Sequence, residues 1–491
     1  MPSTTNPNPH HARRWAILGL LGIAQLMVVL DATIVNIALP SAQQDLGFST
    51  DMRQWIVTAY ALAFGSLLLL GGRIGDLFGR KTTFIVGLLG FAVASAIGGT
   101  ADSFGVLVGA RAAQGVFAAL LAPAALSLLT TTFTAPGERA KAFGIFGAIA
   151  GGGAAIGLLL GGILTEWLSW RWCLYVNLLF AIPAAIGALS LLVNQRPAHR
   201  PRLDIPGTIT ASLGVFSLVY GFSNAETHSW SAPLTIFCLA AGVVLLVAFV
   251  VIQTRVANPL LPLRVVLDRN RGGSFLAMGI AGAGMFGVFL FLTYYLQQTK
   301  GFSPIQTGLG FLPMSAAIMV TATTATTKLV PRYGPRWLMT LGMALAATAM
   351  ALFFAQLGVT SSYAGHVLPG LIVMGVGLGL IFAPAFNGAT LGVEPHDAGV
   401  ASAMVNTAQQ VGGSLGTAFL STIFATAVRN YAEGRRPGPA VLAQASMQGY
   451  TTAFYCSAVI FLVGAIVCGS LLRNNVAARQ GAPAGEPVLA H

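Results

Sequence analysis

Charge is what this chain has least of. Only 8% of its 491 residues are Asp, Glu, Lys or Arg, where a soluble domain carries about 25%. With 55% hydrophobic residues, no soluble core can absorb so much apolar sequence, so the chain is an integral membrane protein. Strictly alternating polar and apolar runs are missing too, which excludes a membrane β-barrel. Cysteine is scarce. Cys173, Cys238, Cys456 and Cys468 all lie in apolar runs without metal-ligand spacing, which argues against a zinc site or a disulfide framework. The phosphate-binding pattern G-x-x-x-x-G-K-[ST] is absent, so ATP is not the expected energy source. The net charge of +12 sits in short loops, so it reads as a topology signal and no nucleic-acid partner is expected.

What is present is length. Fourteen apolar runs are each long enough to cross a bilayer. They are Trp15–Leu39, Arg53–Leu70, Thr83–Thr100, Phe104–Phe133, Lys141–Leu164, Arg171–Val193, Ile205–Ser223, Ala232–Gln253, Ser274–Leu296, Pro304–Thr327, Trp337–Leu357, His366–Leu391, Ala398–Val428 and Thr451–Leu472. The fold class expected is therefore an all-α membrane protein of about fourteen helices. The first run is too long for a signal-peptide core and is expected to stay as a span. Nineteen basic residues fall at the termini and the loops of one side, six on the other, and Arg111 in a span. This bias puts both termini in the cytoplasm. The organisation expected is a cytoplasmic segment (1–14), a six-helix bundle (15–193), a central two-helix insert (205–253), a second six-helix bundle (274–472) and a disordered tail (473–491). The longest loop, Arg429 to Gly449, is expected outside.

The stretch Gly71–Lys81, GGRIGDLFGRK, is expected to be a tight charged loop between two spans. Gly72, Gly75 and Gly79 allow bending and close helix approach. Arg80 and Lys81 favour the cytoplasmic side. Asp76 is the lone acid; it can accept hydrogen bonds from a neighbouring loop or cap a helix start. A plain basic turn that only sets topology is the alternative. A weak repeat links this stretch to Thr326–Arg336, pairing Gly79 with Gly334. Gly153 and Gly157 pair with Gly412 and Gly416 in the same way. Two six-helix halves of this kind bind cargo between them and rock.

Asp31 is the one acid expected inside the hydrocarbon, where an unpaired carboxylate is costly. It lies eight residues before Leu39, about 12 Å from that end of its span, and Arg111 lies about 10 Å inside its own. The two can meet if their spans face one cavity. Asn36 and Thr33 are alternative holders of Asp31. Gln114, one turn from Arg111, is expected to bridge through water. Gly153, Gly157, Gly161 and Gly162 allow a neighbouring helix to approach. Asn36, Tyr60, Gln114, Asn387, Asn406, Gln409 and Gln410 are the candidate polar residues of a cargo cavity, although amides in spans also serve as plain helix contacts. The other acids, Asp76, Asp204, Glu394 and Asp397 among them, are expected in loops and in water.

GGRIGDLFGRK resembles the loop motif between helices 2 and 3 of the major facilitator superfamily. LDATIVNIALP, around Asp31, resembles a first-span motif of its fourteen-span drug:proton antiporter branch. RAAQGVFAALLAPA resembles the RxxxG-type motif of helix 4. The glycines of the fifth span resemble GxxxGPxxGG, with Leu158 where the family has proline. AGVASAMVNTAQQVGGSLGTAF resembles the penultimate span of the same family. The resemblance implies a proton-coupled exporter of small lipophilic compounds in the plasma membrane, not an enzyme, without a cofactor or metal. Its partners would be the cargo, protons and lipid, and a monomer is expected. Asp31 would exchange a proton for cargo, Arg111 would hold the ionised form, and Gly71–Lys81 would latch the cytoplasmic side. One buried acid implies one proton per cycle and a preference for neutral or monovalent cargo. A metabolite carrier on the same fold is the alternative; a membrane enzyme or sensor needs a His/Glu/Asp cluster at a membrane face, and the sequence offers none.

Overall fold

The computed structural model describes residues 13–48, 52–193, 203–227, 229–394, 397–435 and 438–474. The element order is α1 (Arg14–Leu46), α2 (Arg53–Phe78), α3 (Arg80–Gly99), α4 (Phe104–Thr132), α5 (Pro136–Trp167), α6 (Trp172–Leu191), α7 (Ile205–Thr227) and α8 (Pro233–Gln253). There follow the short α9 (Leu263–Leu267), then α10 (Arg269–Gly287), α11 (Pro304–Thr324), α12 (Val330–Thr348), α13 (Leu368–Thr390), α14 (Ala398–Ala432) and α15 (Pro439–Leu471). Among the described residues twelve helices are long and apolar enough to cross a membrane. One of them, Ile305–Phe354, runs 50 residues, more than twice what a hydrocarbon core about 30 Å thick requires. It breaks at Gly334, whose φ of 79° and ψ of 160° are not helical. α5 enters only through the shorter apolar stretch Ile156–Trp167.

Two sequence-based expectations need correction. Gly71–Lys81 is not a loop: α2 stays helical through Phe78 and α3 starts at Arg80, so Gly79 alone connects them. Its φ of 97° lies where a side chain would be strained, which is why glycine stands there. The charges do not unwind the helix, because Arg73 and Asp76 are buried against protein. The long loop after Arg429 is also mostly helix, since α14 runs to Ala432 and α15 starts at Pro439.

Lipid tails are as apolar as leucine, so helices here associate by close packing rather than by escape from water. α5 packs on α1 through glycines one turn apart. A side chain at Gly157 would meet the Thr33 hydroxyl at 2.1 Å and the Leu30 carbonyl at 3.0 Å; at Gly161 it would meet Ile34. In the second bundle α14 packs on α10 alike, with Gly412 against Gly279 and Gly416 against Ala283. The bundles α1–α6 and α10–α15 meet along two seams. On one, α5 lies along α11 and α13: Gly144 faces Thr326, Gly152 faces Ser315, Gly162 faces Ile305 and Gly147 faces Ala383. On the other, α2 meets α14 where Gly72 faces Gly399 and Ala403.

α7 covers the second seam, with Val215 and Val219 buried beside Leu62 of α2. The Thr58 and Ser223 hydroxyls are 3.2 Å apart, and Trp230 donates to Thr422 of α14 at 2.8 Å. α8 is largely exposed, as a lipid-facing helix is. The base of this hairpin corrects another expectation. Asp204 is not in water but 4% exposed. It accepts from the Gly207 amide at 2.9 Å and from Gln253 Nε2 at 2.7 Å. Gln253 Oε1 in turn accepts from the Leu261 amide at 2.9 Å.

Candidate functional site

Five helices of the first bundle each contribute a side chain to one buried polar cluster. α1 brings Asp31 and α4 brings Arg111, and both are almost fully buried. Arg111 Nη1 donates to Asp31 Oδ2 at 2.5 Å and to Gln114 Oε1 at 2.8 Å. Gln114 Nε2 donates to Asp31 Oδ1 at 2.9 Å and to Ser95 Oγ of α3 at 2.7 Å. From α6, Asn177 Nδ2 donates to the same Asp31 oxygen at 2.7 Å. Arg111 also donates through Nε to the Ile56 carbonyl of α2 at 3.3 Å, and its guanidinium lies 4.4 Å from the centre of the Tyr60 ring. A buried ion pair holds only when its remaining hydrogen-bonding capacity is met. Here Asp31 receives one donor on Oδ2 and two on Oδ1.

This geometry decides between the holders of Asp31. Arg111 is its partner. Gln114 contacts it directly rather than through water, because it stands one turn from Arg111 on the same face. Thr33 instead donates to the carbonyls of its own helix, Leu30 at 3.0 Å and Val29 at 3.3 Å. The side chain of Asn36 lies outside the described residues. Sequence reasoning missed Asn177 and Ser95. The signal for Asn177 was available: it is the lone amide in the apolar run CLYVNLLFAI, and a polar residue at that depth is costly unless it is used.

The other candidate residues separate into distinct places. Near the Asp76 end of the molecule, Asp76 Oδ1 accepts from the Gly399 amide at 3.3 Å and from Arg80 at 3.4 Å. Gly399 is in the first turn of α14, so Asp76 caps a helix start of the other bundle, where the dipole favours an anion. Lys81 Nζ donates to the carbonyls of Leu189 and Leu192 at 2.8 and 2.6 Å, closing the end of α6. Gly75 has open packing, with Thr83 at 4.0 Å. Asn387 is bound across the bundles: its Oδ1 accepts from Arg139 Nε at 3.0 Å, and Arg139 also donates to Thr390 Oγ1 at 2.9 Å. This joins the start of α5 to the end of α13. Burial pulls the Arg139 guanidinium down to about 10, which leaves it charged at neutral pH. Asn406 donates to the Ser402 carbonyl of its own helix at 3.0 Å. Gln409 and Gln410 are half-buried on α14, where the Gln410 side chain would lie 3.9 Å from a Cβ built at Gly65 of α2. Asp397, expected in water, is buried, and Arg264 approaches both Glu394 and Asp397, at 3.6 and 2.6 Å. Leu158, at the family's proline position, is buried.

Among the described residues no group of three or more His, Cys, Asp or Glu side chains is placed to hold a metal. What the cluster can do is hold a carboxylate out of water in either protonation state.

Residues 21–417 match the family model described as Major Facilitator Superfamily. The chain belongs to that superfamily. This superfamily member is 49% identical over 473 residues to the puromycin resistance protein pur8 of Streptomyces alboniger, covering 96% of this chain and 93% of that one. It is 39% identical to the cephamycin export protein CmcT of Amycolatopsis lactamdurans, covering 90% of each. To the tetracenomycin C resistance and export protein of Streptomyces glaucescens it is 33% identical, covering 85% of this chain and 77% of that one. In fold it is similar to the crystal structure of the human organic anion transporter MFSD10 (TETRAN), with a TM-score of 0.62 at 16% identity, covering 93% of this chain and 99% of that one. The chain is thus a multi-pass membrane protein of a transporter family.

Proposed function

We propose that this chain exports small lipophilic antibiotics or drugs across the plasma membrane in exchange for protons. The observation that carries the reading is the Asp31–Arg111 pair, sealed inside the first bundle at 2.5 Å. A fixed structural ion pair in a membrane is a poor stabiliser, because desolvation offsets its attraction. A pair whose acid can be neutralised is useful where a proton must drive motion. The names of the similar proteins, resistance and export proteins for puromycin, cephamycin and tetracenomycin C, support an amphiphilic organic cargo.

In this reading the fourteen apolar runs are fourteen spans, in two six-helix halves with α7 and α8 between them, and both termini are cytoplasmic. The left-handed glycines Gly79 and Gly334, at matched places in the two halves, support the repeat. Asp76 on α14 and Arg139 on α13 then close the cytoplasmic side. Proton uptake by Asp31 weakens its hold on Arg111 and permits the bundles to rock. The protein acts as a monomer and carries one proton per cycle.

The test uses the purified protein in liposomes with puromycin and ethidium as cargo. Export should follow an imposed pH gradient, with a proton-to-cargo ratio near one from reversal potentials, and Asp31→Asn should remove the response to the gradient. Gradient-driven export that survives Asp31→Asn, or a ratio clearly above one, overturns the assignment of Asp31.

A further inference from the structure

Two amides face Asp31, and they are not equivalent. Gln114 is fixed at both ends: its nitrogen serves Asp31 and Ser95, and its oxygen takes a charge-assisted bond from Arg111 at 2.8 Å. Turning it over would place its NH2 against a guanidinium. Asn177 is fixed at one end only. Its nitrogen donates to Asp31 at 2.7 Å and to Ser95 Oγ at 3.3 Å, while its oxygen is buried without a hydrogen-bond partner. The unpaired oxygen is costly to bury, and beside a titratable acid it is an acceptor still uncommitted.

We propose that Asn177 is a positioning residue that follows the protonation state of Asp31, turning its amide half a turn when the carboxylate takes up a proton. An ionised carboxylate only accepts, so it requires the Asn177 nitrogen. Once a proton has bound to Oδ1, that oxygen becomes a donor and requires an acceptor. The turned amide presents Oδ1 of Asn177, so far unused, to the new O–H. Ser95 supports both arrangements. Its hydroxyl accepts from the amide nitrogens now, and a hydroxyl can rotate to donate to an oxygen. No covalent bond other than the Asp31 O–H forms, and the cluster gains one positive charge. The charged or titratable groups facing Asp31 are Arg111 of α4 and, further off, Tyr60 of α2 and Cys173 of α6; α3 presents the neutral Ser95. Of these the Tyr60 hydroxyl is likewise without a partner and so does not bond to Asp31, whereas the Asn177 amide already does. The neutral acid is thereby stabilised without moving a helix, and both ends of the proton step are held by the same residue. This rests on Asp31 as the proton carrier, and it goes further by naming what receives the protonated form.

The experiment is infrared difference spectroscopy between alkaline and acidic buffer, on the full-length protein in liposomes without cargo. Asp31→Asn assigns the carboxylic-acid band. Asn177→Leu should move that band to the higher frequency of an acid without an acceptor, while Asn177→Thr, whose hydroxyl both donates and accepts, should leave it near its wild-type position. In transport, Asn177→Leu should lower gradient-driven export about tenfold, the scale of one lost hydrogen bond to a charged group. Cargo exchange at equal pH should persist, and Asn177→Thr should restore most of the loss. A band that Asp31→Asn removes but Asn177→Leu does not shift overturns the role of Asn177 and leaves Asp31 standing. A band unchanged by Asp31→Asn overturns both. Equal loss of exchange and export in both Asn177 variants marks Asn177 as a packing residue and also refutes the proposal.

Discussion

The two bundles share a helix packing scheme and differ in what they bury. In the first, a carboxylate, a guanidinium and two amides are sealed among α1, α4 and α6. In the second, among the described residues from Ser274 to Leu472, the only buried charged side chain is Asp397, beside the start of α14. Ile372, which the weak sequence repeat expected above would pair with Arg111, is apolar and 44% exposed. The second bundle has instead five wide-turn π segments, at Val288–Leu292, Tyr295–Thr299, Ala325–Leu329, Ala349–Phe354 and Tyr363–Val367. None interrupts the described helices of the first bundle. Such segments are rare and tend to occur where function requires a local adjustment of the helix. A buried ion pair needs fixed geometry, so rigid helices surround it. A surface that accepts varied apolar cargo gains from backbone that can shift. On the function proposed above, the proton step belongs to the half without such segments.

The strongest way to break this contrast is to remove the charge balance of the first half. Arg111→Ala should leave Asp31 as an unpaired buried charge, a cost of about 3–5 kcal/mol when it stays ionised. Gradient-driven export should vanish and the thermal midpoint in detergent should fall. The double variant Arg111→Ala, Asp31→Asn should recover the midpoint but not the export. Recovery of neither would show that the cluster is not an electrostatic unit.

Next in size is a matched pair of glycine substitutions. Gly157→Ala forces a methyl group to within 2.1 Å of the Thr33 hydroxyl, next to Asp31, and Gly416→Ala forces one to within 2.5 Å of the Ala283 backbone. Overpacking of this kind costs about 1–3 kcal/mol at either site. Only Gly157→Ala should displace the pH dependence of export, because only it presses on the helix that carries the acid. A similar displacement from Gly416→Ala would erase the distinction between the halves.

Asp76→Asn should have a moderate effect. It keeps the size of the side chain and removes the anion from the first turn of α14, a contribution of about 0.3–1 kcal/mol at a helix start. Insertion should be normal and export should fall several-fold, as measured by dye efflux in intact cells. Normal efflux would return the stretch to a topology signal.

The smallest effect is expected at Asp45, at the opposite end. The Arg171 guanidinium and then the Trp170 indole hold its carboxyl below the ordinary value of 3.8. A lowered carboxylate value contributes stability above the ordinary value, and that contribution is lost as pH falls through the lowered one. Wild type and Asp45→Asn should therefore differ in thermal midpoint by the same small amount at neutral and mildly acidic pH. Salt should shrink the difference, since the pair is partly exposed.

How much of this was legible beforehand depended on the kind of signal. Apolar runs announced the helices because length and hydropathy alone decide what can cross a bilayer. Asp31 and Arg111 stood out because each is a charge inside such a run, and equal depth was enough to pair them. Asn177 was overlooked because an amide in a span has several ordinary uses. Asp204 was misread as solvated because its partners Gln253 and Leu260 are about fifty residues away in sequence. The contact made by Asn387 escaped the sequence for a related reason. Asn387 looked free until Arg139, from the other bundle, was found on it.

The single-residue connection at Gly79 has a mechanical consequence. A link that short has no slack, so α2 and α3 act as one bent lever with its elbow at Gly79. One arm carries Asp76, one turn from the elbow. The other carries Ser95, about 22 Å along from Arg80 at the rise of an α-helix. Lys81 pins the near end of that arm to the last turn of α6, the helix that also carries Asn177. In the proposed export cycle, release of Asp76 from α14 would swing the first arm and pivot the second about that pin. The tilt then reaches the serine that touches both amides, and the release of a contact between bundles is felt as a displacement around the acid inside one of them.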